Sequence, residues 1–273
     1  MPLYKQTASR DYTEYAWTES SEEQTLAYVE SVANKMGGNI AAAFDAMTRY
    51  DLYDIKASEK KYNASFEIYL YSYYLPFIFV NSTGTNQDKL TLTHEFGHFC
   101  RDYLSYGAQQ SLDVGEYFSQ AMENLSLFYG PEGEAMRPLR LQQSLNVYVE
   151  QAAYASFEHQ VYNLEDPTAK QVEALFDTAS FDLQLDGWHY MLITHFFTEP
   201  MYVVSYVVSN DAALQLYQME LEEYRSGRTC LLNNLTATEP QFMAFLEQAG
   251  LESPFEKGRL QDVTELLEGI LLS

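Results

Sequence analysis

Apolar positions recur every three or four residues early in the chain. Leu26, Val29, Val32 and Met36 form one stripe, the spacing that turns one face of an α-helix toward a core. Ser20-x-x-Glu23 ahead of the stripe reads as a capping box, and Gly37-Gly38 closes it. A second helix is expected from about Ile40, with Phe44 and Met47 inward. Between Asn63 and Asn81 the pattern changes. FEIYLYSYYLPFIFVN is rich in Phe, Tyr and Ile and nearly free of charge. That composition predicts two strands with a turn near Ser72–Pro76, or one strand broken there. STGTNQ, residues 82–87, reads as a turn. Beyond it helical patterning dominates, with segments near 88–106, 113–128, 137–163, 168–178, 188–198, 201–225, 238–249 and 260–271. Their separators carry Gly and Pro, among them Gly107, Gly130-Pro131, Gly187 and Gly227. With no repeat, low-complexity tract or long linker, residues 1–273 are expected to form one mainly α domain. A small β-sheet precedes its central helix.

Composition narrows the function. Lys plus Arg number 16 against 39 Asp plus Glu, a net charge of −23. That balance speaks against general nucleic-acid binding and against docking on anionic lipid, both of which rest on Lys and Arg. A hydrophobic content of 47% argues against disorder. Cys100 and Cys230 are too few for a disulfide framework. With no apolar leader at the N-terminus, a reducing, cytoplasmic location is expected. The runs Phe66–Val80 and Met191–Val208 are broken by Pro76 and by His195, Glu199 and Pro200, so no membrane span is expected. The sequons at Asn63, Asn81, Asn124 and Asn234 then read as coincidence.

The chemistry concentrates in His94-Glu95-Phe96-Gly97-His98. On a helix, residues i and i+4 share a face one turn apart, so both imidazoles can reach one Zn2+. Glu95, beside the first histidine, can take a proton from a water there. Such a motif also arises by chance, but here it follows a predicted strand and turn, and Thr91, Leu92, Phe96 and Phe99 supply a buried flank. A zinc site needs a third protein ligand. Asp113, Glu116, Gln120 and Glu123 share one face of the next predicted helix, while Val114, Tyr117, Phe118, Ala121, Met122 and Leu125 leave that helix no purely solvent-facing side. Glu116 is chosen as the ligand and Glu123 as the carboxylate that orients a ligating histidine. Asp113 and Glu123 stand as alternative ligands.

At these residues the chain resembles the oligoendopeptidase F and thimet-type oligopeptidase family of zinc metallopeptidases. PFIFVNSTGTNQDKLTLTHEFGH resembles the family's strand, turn and zinc helix, and VGEYFSQAMEN its third-ligand segment with a second glutamate seven residues on. VEQAAYASFEHQVY resembles the following helix. HFFTEPMYVVSYVVSNDAAL resembles the family's His-and-Tyr segment, and FLEQAGLESPFEKGRLQDVTELLEGIL its C-terminal helices. The likeness runs from about residue 50 to the end. It implies a zincin-like (gluzincin) catalytic domain in which His94, His98 and Glu116 hold one Zn2+ per chain and Glu95 is the general base and acid. It also implies that His195, Tyr202 and Tyr206 contact substrate or transition state, a role that a phenolic O–H or imidazole N–H suits. Tyrosine pairs at helical spacing are also common core features, whereas His159 and His189 read as ordinary helix residues.

The chain departs from the family in places. Arg101 stands where many members carry a further histidine, and the gap from His98 to Glu116 is short. The thimet branch's glycine-rich loop is missing. Full-length relatives are longer, so an N-terminal helical region is expected to be missing or supplied separately. The expected function is hydrolysis of short unstructured peptides that pair with the 66–80 strand region. The alternatives are an inactive metal-binding half-enzyme that binds peptide, and a zinc amidohydrolase acting on a non-peptide substrate.

Overall fold

The structure, a computed structural model, describes residues 2–7, 14–62 and 64–273, and the sequon at Asn63 lies outside them. A short helix α1 (Pro2–Thr7) precedes the N-terminal pair α2 (Glu22–Met36) and α3 (Gly38–Arg49). The capping box sits one residue later than the sequence suggests. Ser21 accepts the Gln24 N–H at 3.2 Å, and the Gln24 side chain accepts the Ser21 N–H at 2.8 Å. Ser20 is instead drawn inward, its N–H donating to the Gly84 carbonyl at 2.9 Å.

Three strands follow: β1 (Tyr53–Asp54), β2 (Ser65–Leu70) and β3 (Leu75–Val80). Their order is β1-β3-β2, with β1 parallel and β2 antiparallel to β3. The break at 71–74 is thus a hairpin turn, and Pro76 lies inside the central strand. It costs no ladder bond there. The Ile78 N–H donates to the Leu52 carbonyl, so residues of the same parity, Pro76 included, face the β1 side, and β1 pairs only with Ile78 and Phe79. The same parity leaves the backbone groups of Ser65, Glu67 and Tyr69 on the open edge of β2.

The sheet leads into α4 (Gln87–Ser105). Asp88 reaches back to fix the entering turn, accepting from the Thr83 N–H at 3.0 Å, the Thr83 hydroxyl at 2.9 Å and the Gly84 N–H at 2.9 Å. Next comes α5 (Leu112–Tyr129), the centre of the molecule, buried over nearly its whole surface. It packs on α4 and on α9 (Tyr202–Glu222). Between α5 and α9 run α6 (Gly133–Asn146), a π-helical turn over Val147–Gln151, α7 (Ala152–Tyr162) and α8 (Ala169–Ala179). After α9 come α10 (Ser226–Asn234), α11 (Phe242–Ala249) and α12 (Arg259–Leu271).

Three expectations need correction. The helix expected over 137–163 starts earlier, with Pro138 inside it, and is interrupted by the π turn. Residues 188–198 are no α-helix but two 3₁₀ segments, Gly187–Leu192 and Thr194–Phe197. Their anchors are Tyr190 and Phe196, both against Phe157 at ring distances of 5.6 and 5.2 Å. A six-residue interval does not share a face on an α-helix. Gly227, read as a separator, lies within α10. A Cβ there would meet the Leu216 carbonyl oxygen at 2.1 Å, so this glycine is what lets α10 lie against α9. Of the other sequons, Asn124 and Asn234 are buried, and the Asn81 side chain is bonded to the Ser58 backbone. Cys100 and Cys230 are buried and free. Among the described residues no helix is long and apolar enough to cross a membrane.

Candidate metal centre and cleft

Regular helix geometry places His94 and His98 one turn apart on α4, their rings 5.0 Å apart. Glycine at position 97 decides how near α5 can come. A Cβ on Gly97 would lie 2.6 Å from the Ser119 Cα and 2.9 Å from the Phe118 carbonyl oxygen. The two helices therefore touch backbone to backbone, and Glu116 on α5 reaches both histidines. Its carboxylate lies 3.5 Å from His94 Nε2 and 3.9 Å from His98 Nε2. One donor atom from each of the three residues falls within 4.8 Å of the others. Two imidazole nitrogens and a carboxylate oxygen converging in this way fit a zinc ion with one coordination position to spare. Asp113 is not part of this cluster.

Glu123 stands behind His94, its Oε1 2.7 Å from Nδ1. Arg140 on α6, itself buried, pairs with the other Glu123 oxygen at 3.0 Å. Burial pushes the Glu123 carboxyl upward, but Arg140 and His94 outweigh it and hold the group below the ordinary carboxylate range. An ionised Glu123 accepts the Nδ1 proton and turns Nε2 toward the cluster. Burial pulls the His94 imidazole down, yet its bond to Glu123, with Glu116 and Glu95 close by, raises it to about 9. His98 has no such partner; burial and the charge on His94 lower it to about 3. The Glu116 carboxyl is raised by burial against the opposing pull of His94 and of the Tyr202 and Ser119 hydroxyls. Glu95 is buried on the strand side of the helix. Burial lifts its carboxyl to about 7, against the pull of His94 and with help from Glu116 and Glu123.

Opposite the histidines lies the His195–Tyr206 corner. The Tyr206 hydroxyl is 3.1 Å from His195 Nε2, and the Tyr202 hydroxyl donates to Glu116 Oε1 at 3.3 Å. The His195 ring stacks on Tyr202 with centroids 4.5 Å apart. Burial, then the neighbouring Glu116 charge, raises Tyr202 to about 12 and Tyr206 further still, so both keep their protons. Eight of the residues singled out in the sequence thus gather around one centre: His94, Glu95, His98, Glu116, Glu123, His195, Tyr202 and Tyr206. His159 is exposed on α7, and His189 packs on Phe176.

The cleft has two lobes. One, of about 340 Å3, runs from Glu95 and His98 to Ser65, Phe66 and Glu67 on the open edge of β2. The other, of about 450 Å3, lies beyond His94 and is lined by Gln120, Val147, Gln151 and Thr194. The π turn supplies Val147 and Gln151 to it, in keeping with the tendency of such turns to gather at functional sites. Sequence reasoning missed Arg140, which carries no motif, and Glu67, hidden in an aromatic run. Glu67 is turned toward α4, with one buried carboxyl oxygen lacking a partner. Burial, then the nearby Asp102 and Glu95 charges, raises it to about 9. Arg101, at the position of the absent histidine, points away from the centre and donates to the Ala237 carbonyl at 2.8 Å.

No protein-family model matches the chain, and no curated protein matches it by sequence. Solved structures do. A structure assigned to oligoendopeptidase F aligns with a TM-score of 0.88 at 22% identity, over 100% of this chain and 55% of its own. PZ peptidase A in complex with an inhibitor aligns at 0.84 and 21% identity, over 99% of this chain and 54% of its own. A further oligoendopeptidase F assignment, from Bacillus anthracis, aligns at 0.83 and 19% identity, over 99% and 53%. The chain thus has the mainly helical fold these structures share and spans about half their length.

Proposed function

We propose that the chain is the catalytic part of a zinc-dependent metalloendopeptidase that cleaves short, unstructured peptides. One observation carries the reading. The donor atoms of His94, His98 and Glu116 converge in a cleft that also holds Glu95, a Tyr–His pair and an open strand edge. The peptidase names of the structures with this fold support the same class of reaction.

In this reading His94, His98 and Glu116 hold one Zn2+. A bound zinc ion supplies a Lewis acid beside the scissile carbonyl and makes water a competent nucleophile at neutral pH. Glu95 accepts the proton of the attacking water and delivers it to the leaving amine. A carboxyl lifted to about 7 by burial is suited to both steps. Glu123, braced by Arg140, keeps His94 oriented. Tyr206 donates its hydroxyl hydrogen to the oxyanion that forms as the carbonyl becomes tetrahedral, with His195 holding the phenol in place. Tyr202 steadies Glu116. The peptide lies extended along β2, where the outward backbone groups of Ser65 and Tyr69 and the Glu67 carbonyl bind main chain without demanding sequence.

The test is hydrolysis of internally quenched peptides by the purified chain, alongside metal analysis. Internal cleavage that a chelator abolishes and zinc restores is expected. Stoichiometric zinc without cleavage would turn the reading toward a peptide-binding half-enzyme. Failure to bind zinc would end it.

A further inference from the structure

The helix that carries Tyr202 and Tyr206 begins without a side-chain cap. α9 begins at Tyr202 after Met201, a non-glycine residue in the left-handed region at φ 59°, and no side chain at the cap position bonds the first turn. A bulky residue with that φ is unfavourable by itself and persists where its surroundings hold it. The preceding residues, 197–200, are exposed. One buried side chain from outside the corner bonds to it. Glu158 on α7 is 4% exposed, and its Oε1 accepts the Met201 N–H at 3.0 Å, across 43 residues of chain. The same oxygen accepts the Tyr162 hydroxyl at 3.2 Å, while Oε2 is buried without a hydrogen-bond partner. The residues beside Glu158 grip the other arm of the corner. Phe157 and Tyr154 pack on Phe196, with ring centroids 5.2 and 5.8 Å apart.

We propose that Glu158 is a positioning residue for the hydrolysis reaction, fastening Met201 so that His195, Tyr202 and Tyr206 face the metal-binding cluster. The inference rests on the function proposed above for that site. Its hydrogen bonds go to Met201 and Tyr162 rather than to the three rings. It acts through the backbone of Met201, which sets where the first turn of α9 starts and therefore where Tyr202 and Tyr206 point.

The geometry separates two substitutions. Glu158→Gln keeps a carbonyl oxygen that can accept the Met201 N–H, whereas Glu158→Leu fills the space without an acceptor. Hydrogen exchange followed by mass spectrometry reads the latch with no need for turnover. Glu158→Leu is expected to speed exchange over residues 194–204 by about tenfold or more, with α4 and α5 unchanged, and Glu158→Gln to match the wild type. With a cleaved peptide, Glu158→Leu is expected to lower kcat about tenfold at wild-type zinc stoichiometry and nearly unchanged KM, and Glu158→Gln to restore kcat. Wild-type exchange at the corner in Glu158→Leu overturns the proposal, as does equal loss of kcat in both variants. If the wild type cleaves no peptide, the function proposed for the site fails and the exchange measurement still decides the latch. Should Glu158→Leu loosen α5 as well, exchange in Tyr162→Phe/Glu158→Gln, which keeps only the Met201 acceptor, decides: a protected corner supports the latch and a loosened one overturns it.

Discussion

The donor helices and the His195 corner serve one cleft with two kinds of backbone. His94, Glu95, His98 and Glu116 ride on α4 and α5, regular helices buried on almost every side, and their separation is set by a glycine contact. His195, Tyr202 and Tyr206 sit where two 3₁₀ segments meet the left-handed start of α9, with exposed residues between them. The difference matches the chemistry assigned to each. An ion is gripped by fixed donors, whereas a group that meets the substrate carbonyl can be carried on a more adjustable mount.

Substitutions can break this division or sharpen it. The largest effect is expected from Glu95→Gln, which should lower kcat by about 10³-fold while metal analysis still finds one zinc per chain. Tyr206→Phe should come next, with kcat down about 10²-fold, KM little changed and zinc retained. If zinc is lost with the Tyr206 hydroxyl, the two regions are not separable. Glu123→Gln should weaken zinc binding by about tenfold in a chelator competition, because His94 loses its charged partner. Gly97→Ala should also loosen zinc by forcing α4 and α5 apart, at a cost of about 1–3 kcal/mol measured by denaturant unfolding. The last effect concerns stability rather than turnover or zinc, at Glu67. Its carboxyl titrates near 9 in the fold against an ordinary value of 4.5, so the fold binds the extra proton between those values. Stability from this group is present below about pH 4.5 and is lost as pH rises toward 9. Glu67→Gln should therefore raise Tm relative to the wild type by a margin that grows over that interval.

The same contrast governs what could be read from sequence. Helical patterning between turn signals locates α4 and α5 to within a residue or two, with Gly107 and Gly130-Pro131 marking where each ends. The H-E-x-x-H spacing then put two imidazoles on one face with no tertiary knowledge. Glu116 and Glu123 were legible as a polar stripe on a helix otherwise apolar. At the corner this logic fails. Tyr190 and Phe196 are held by long-range contacts to Phe157, and no local period encodes their six-residue interval. α10 was missed because Gly227 looks like punctuation in a sequence and acts as a packing contact in the fold. Arg140 was missed because a single buried cation has no sequence signature; only its distance to Glu123 reveals it.

The unpaired margin of β2 has a further consequence. Phe66 and Ile68 are exposed on the outer face of that strand, beside the outward backbone groups of Ser65 and Tyr69. Such a margin invites a neighbouring copy to stack on it and begin an aggregate. Glu67 sits in the middle of it, its side chain turned to α4 rather than along the edge. In the proposed reading, the edge that would receive a peptide is therefore also the one most open to a second copy of the chain.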